Sequence, residues 1–106
     1  MIDFERGTTN VYADLGFDDP EEQLVKAKLV RTIQLMMRAR NLKQIEAAPI
    51  MSVQQGALSK LLKGNFDGFS EKRLMKMLTL LGADINIVIN KNVNTSHIGT
   101  INVIHG

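Results

Sequence analysis

Cysteine is absent from this chain of 106 residues. That excludes disulfides, thiolate metal sites and thiol nucleophiles together, and it suits a reducing compartment. Long apolar runs are missing too, so no membrane span is expected. Residues 1–6 carry Asp3 and Glu5 and no apolar stretch, so they do not read as a secretory leader. There are no internal repeats and no low-complexity tracts. Catalytic constellations are lacking as well: no Ser-His-Asp set, no paired carboxylates, no glycine-rich phosphate loop. His97 and His105 share strand parity, but no carboxylate or thiol completes a metal set, and both read as surface histidines. Met36, Met37, Met75 and Met77 read as core or interface filler. No enzymatic activity, metal or cofactor is therefore expected, and the expected location is the cytoplasm.

The length fits one domain, and an apolar share of 44% is enough for a core. A net charge of +2 hides an asymmetry. Residues 1–22 hold seven acids against Arg6 alone, a net −6, whereas residues 23–106 hold twelve bases against four acids, a net +8. An acidic arm precedes a basic body, and a basic body attracts polyanions through phosphate neutralisation. Composition alone favours the plainer reading, in which the charges only solvate helix faces.

Along the chain, residues 1–19 read as the acidic N-terminal arm, with Val11, Tyr12, Leu15 and Phe17 available to pin its second half. Residues 20–82 read as a helical domain. Asp19 can cap the first helix, Pro20 suits its first position, and Glu21 and Glu22 face the positive end. Leu24, Ala27, Leu29, Val30, Ile33, Met36 and Met37 recur at helical spacing, and Asn41 is a natural stop. A short helix over 44–50 is expected to bury Ile45, Ala47 and Ala48, with Pro49 bending or shortening it. Another runs from 54 or 55 to 62, with Leu58, Leu61 and Leu62 inward and Gly64 as its stop. A loop over 65–69 precedes a helix capped by Ser70, with Leu74, Met77, Leu78 and Leu81 inward and Gly82 at its end. Residues 83–106 read as a C-terminal strand or hairpin. Residues 84–90 alternate, with Ile85, Ile87 and Ile89 on one side, and 97–105 is a candidate second strand. A lone strand needs a partner, so Ile85, Ile87 and Ile89 are expected at a two-fold dimer interface as well as in the hairpin.

Residues 44–64 are the unit that suggests function. Two short helices meet across a tight turn, with Ala47 and Ala48 permitting close approach and Val53 and Leu58 filling the corner. The second helix leaves Gln55, Gly56, Ser59 and Lys60 on a face free of apolar bulk. Amide, hydroxyl and ammonium groups are what base-edge reading requires: Gln can pair with adenine, Lys can donate to guanine, and Ser suits either. Gln44, at the start of the preceding helix, can offer its side chain and backbone donors to a phosphate, although a plainly solvated helix start is an equal reading. The bases of the first helix read as a solvated face.

The run Leu42-Lys43-Gln44-Ile45-Glu46-Ala47-Ala48, then Val53, Gln55, Leu58-Ser59, Leu61-Leu62 and Lys63-Gly64, resembles the Xre/Cro-like helix-turn-helix family. A wider set, residues 10–17, Lys26-Ala27, Asp67-Gly68-Phe69-Ser70, Arg73-Leu74 and Leu81-Gly82, resembles its HigA-type antitoxin and Xre-regulator subgroup. The resemblance spans residues 10–90. It implies a mainly α, lambda-repressor-like bundle of four to five helices, with the C-terminal strand or hairpin paired across a dimer. It implies a repressor that binds operator duplex DNA and autoregulates its operon, with a RelE/HigB-like toxin as a further partner. Carried over by position, Gln55, Gly56, Ser59 and Lys60 face bases, while Gln44, Gln54, Lys63 and Asn65 face phosphates.

Three residues depart from the pattern. Ser52 stands where the turn ordinarily has Gly, Pro49 sits inside the first motif helix, and Gly56 replaces a larger groove-facing side chain. They leave room for two other readings. One is a protein–protein module in which the acidic arm or the terminal strands neutralise a basic toxin and DNA binding is weak. The other is an Xre-type regulator with no toxin.

Overall fold

The computed structural model describes residues 19–91 and 98–105. The expected anchors at Val11, Tyr12, Leu15 and Phe17, the expected turn near 92–96 and His97 lie outside them. The first helix, α1 (Pro20–Ala39), begins as its sequence demands: the Asp19 carboxylate accepts the Glu22 N–H at 3.0 Å and Pro20 occupies the first turn. Val25, Leu29, Val30, Ile33 and Met37 are its buried residues. Leu24, expected inward, is only half-buried, and Val25 takes the inner position.

Asn41 ends α1 in the left-handed region at φ 55°, with Leu42 N–H donating to Met37 O at 2.8 Å. The helices α2 (Gln44–Ile50), α3 (Gln55–Leu62) and α4 (Glu71–Leu80) follow. Ser70 caps α4 by accepting the Arg73 N–H at 3.0 Å. Gly82, at φ 105°, ends it. These four are the helices among the described residues.

The core lies where α1 packs on α4 and α2 packs on α3. Leu74, Met77, Leu78 and Leu81 meet the inner side of α1, while Ala47, Ala48, Met51, Val53, Leu58 and Leu61 fill the other half. Phe66 and Phe69, which sequence places in a loop, are both buried. They close the core between α3 and α4, and the Arg73 guanidinium stacks 4.6 Å from the Phe69 ring centre.

Two expectations fail. Ile45 is not a core residue but is 64% exposed, since Ala47 and Ala48 occupy the inner face of so short a helix. No strand forms among the described residues, in 84–91 or in 98–105, so the expected hairpin is absent. An extended segment becomes a strand only by pairing its backbone groups, and nothing among the described residues pairs these. Residues 98–105 instead lie on α1. Lys28 Nζ donates to Asn102 Oδ1 at 2.6 Å, the Thr32 hydroxyl meets His105 Nε2 at 2.6 Å, and Val103 packs half-buried against the core.

Candidate nucleic-acid interface

The turn from α2 to α3 is built by backbone geometry. Pro49 has no N–H and so removes the helical donor to the Ile45 carbonyl, and α2 ends one residue later. Ser52 takes φ 56°, the left-handed conformation that favours glycine. Val53 N–H then donates to Ala48 O at 3.0 Å and Ser52 N–H to Pro49 O at 3.2 Å, the paired bonds of a Schellman ending. Val53 is thereby driven inward, where it is buried. The chain reverses within residues 51–54, and α3 leaves at an angle fixed by that bond pair.

On α3, Leu58 and Leu61 are buried, and the opposite side presents Gln55, Gly56 and Lys60 to solvent with Ser59 half-buried. These positions, spaced i, i+1, i+4 and i+5, share one side of a helix. A Cβ built on Gly56 meets nothing within 4 Å, so packing does not require a glycine there. Gln54, the residue before α3, is exposed and its side chain makes no cap hydrogen bond. Gly64 ends α3 at φ 106°. Asn65 turns the chain away from α3, its side-chain oxygen accepting the Asp67 N–H at 3.1 Å.

Gln44 opens α2 and lines a groove with Gln34, Arg38, Lys43 and Lys63. The neighbouring Lys43 N–H is taken by Glu46 Oε1 at 2.8 Å. A second groove lies between α1 and the end of α3, with Val30, Arg31, Gln34, Leu62 and Lys63 among its walls. Gln34 is held between the two by donating to Leu62 O at 3.1 Å. The structure thus gathers Gln55, Gly56, Ser59 and Lys60 on one side of α3. Lys63 continues that side into the grooves, where Gln44 also lies, while Gln54 and Asn65 sit at the two ends of the helix.

Arg31 and Arg38, bases of α1 expected on a solvated face far from the motif, are exposed. The structure nevertheless sets them beside Lys63. Their shared spacing with Gln34 on α1 was the available signal. Two neighbouring bases are engaged elsewhere: Lys28 of α1 on Asn102, where burial pushes its ammonium pKa down, and Arg40, just after α1, on the Leu81 carbonyl at 3.1 Å.

Ile87 and Ile89 are largely exposed, at 77% and 82%, and Ile85 is exposed at 38%. No group of three or more metal-ligating side chains occurs among the described residues. No described helix is long and apolar enough to cross a membrane.

The sequence model of a family described as "Helix-turn-helix domain" matches residues 11–90. A solved structure described as "Putative XRE Family Transcriptional Regulator" is similar, with a TM-score of 0.77 and 31% identity over 83% of this chain and 99% of that one. Among curated proteins, none matches. With its left-handed turn between two short helices, a family match over most of its length and a relative alike in both fold and sequence, the chain belongs to the XRE-like helix-turn-helix family.

Proposed function

We propose that this protein is a sequence-specific DNA-binding transcriptional repressor, with α3 lying in the major groove. The observation that carries this reading is the outer side of α3: Gln55, Gly56, Ser59 and Lys60 present donors and acceptors and no apolar bulk, on a helix fixed by the Ser52 turn. Gln44, Gln54, Lys63 and Asn65 hold phosphates on either side. The test is fluorescence anisotropy with a duplex from the gene's own upstream region. Gln55→Ala and Lys60→Ala should each weaken binding by about 1–3 kcal/mol and relax sequence preference. If both single variants and the double variant bind as wild type, the assignment of α3 is wrong.

The repressor acts as a homodimer that reads two half-sites roughly 34 Å apart. Seven of the nine exposed large apolar residues among those described lie beyond residue 83, including Ile85, Ile87 and Ile89. Pairing 84–90 with the same segment of a second copy would satisfy its backbone and cover those isoleucines. A monomer in sizing or scattering measurements refutes this.

The same exposed tail favours a second reading, in which the protein is the autoregulating antitoxin of a toxin–antitoxin operon and binds a RelE/HigB-like toxin through the acidic arm or the terminal segment. A small basic protein encoded in the adjacent reading frame, co-purifying with this one, supports it; the absence of such a frame leaves a repressor acting alone. Removing residues 1–19 separates the two activities, since loss of partner binding with DNA binding intact places the toxin site on the arm.

A further inference from the structure

We infer that α1 carries part of the DNA backbone: Arg31 and Arg38 hold sugar-phosphate of one strand in the two adjoining grooves between α1, the start of α2 and the end of α3. This rests on the reading that α3 enters the major groove. Both grooves share Gln34, Leu62 and Lys63, so they adjoin along one track on either side of the Gln34–Leu62 contact. Arg31 borders one part, Arg38 and Lys43 the other, with Lys63 between, and no carboxylate lines either.

All four cations are exposed, and none has an ion-pair partner among the described residues. Concentrated, uncompensated positive charge along a groove raises the local potential and draws in a polyanion. The floor, with Val30, Met37 and Leu62, is apolar. An apolar floor beneath a cationic rim matches a deoxyribose face beneath its phosphates. The track also adjoins the base-reading side of α3, because Lys63 follows Ser59 and Lys60 at i+4 and i+3. Arg31 and Arg38 lie seven residues apart on one side of α1, about 10 Å along its axis, so they reach different phosphates of the same strand. The Gln34 bond to Leu62 fixes this track in register with α3.

The experiment measures anisotropy of the full chain on two duplexes, one from the gene's own upstream region and one of unrelated sequence, across a range of salt. Arg31→Gln and Arg38→Gln should weaken binding to both duplexes by similar factors. Each should also reduce the slope of log K against log salt by about one. Lys26→Gln, which removes a cation of α1 away from the grooves, should leave the slope unchanged. Thermal melting confirms that each variant is folded. A folded Arg31→Gln/Arg38→Gln double variant with the wild-type slope overturns the inference while leaving the DNA-binding reading intact. A wild-type chain that binds neither duplex overturns both.

Discussion

The side-chain amide of Gln34, on α1, donates to the carbonyl of Leu62, the last residue of α3, at 3.1 Å. Helix ends leave carbonyls without intrahelical donors, and this one is satisfied from a neighbouring helix. The bond therefore does two things: it closes the end of α3 and it fixes that helix against α1.

Gln34→Ala should cost about 1 kcal/mol of stability, the ordinary worth of a part-buried hydrogen bond. Urea unfolding reads this directly as a lower midpoint with an unchanged slope. An unchanged midpoint would show that water replaces the amide at no cost.

Ser52 holds a left-handed backbone at φ 56°. A Cβ there costs about 1 kcal/mol, so Ser52→Gly should stabilise the protein by up to that amount, less the entropy that glycine adds to the unfolded chain. The measurement is a thermal midpoint, and a fall in it would mean that the serine hydroxyl contributes more than the strain removes.

Gly56 sits inside α3 with open space where a Cβ would stand. Gly56→Ala should stabilise the helix by about 1 kcal/mol, because alanine restricts the unfolded chain and favours the helix. Its effect on DNA binding is independent of this. A methyl group that faces bases should alter sequence preference, whereas one that faces solvent should not. Melting and anisotropy on the same variant separate the two.

Glu22 on α1 and Glu71 on α4 face one another. Their shared hydrogen bond raises the pKa of Glu22 above the ordinary 4.5, with repulsion from Glu71 and Asp19 adding to the rise and Lys26 opposing it. The bond needs a proton, so the folded state binds that proton more tightly than the unfolded chain. Its stabilising contribution is complete below the ordinary value and is lost as pH rises through the raised one. Glu71→Gln keeps a donor toward Glu22 at every pH and removes the repulsion. The variant should melt higher than wild type at neutral pH and show a flatter midpoint between about pH 4 and pH 7. Parallel curves for the two proteins would refute the coupling.

The motif and the helix starts were legible because their determinants are local. Asp19 with Pro20, Ser70, and the glycines at 64 and 82 act on backbone groups within a few residues of themselves, so each cap could be read without knowing what lies across the domain. The polar outer side of α3 was legible for the same reason, as a helical spacing that leaves Leu58 and Leu61 to the core.

What lies opposite what was not legible. Ile45 looked like core because it is apolar, but α2 is too short to bury more than Ala47 and Ala48. The strand pattern of 84–90 described a capacity for pairing, and pairing depends on a second segment that the described residues do not supply. Nothing local announced that Asn102, Val103 and His105 would return to α1 across more than seventy residues.

The sequence by itself determined the helices and the polar outer side of α3, since these follow from short-range capping and spacing. Only the tertiary structure decided that Arg31 and Arg38 stand beside Lys63 and that Gln34 ties α1 to Leu62. Those relationships arise when two buried faces pack, and packing brings exposed residues together wherever the core happens to place them.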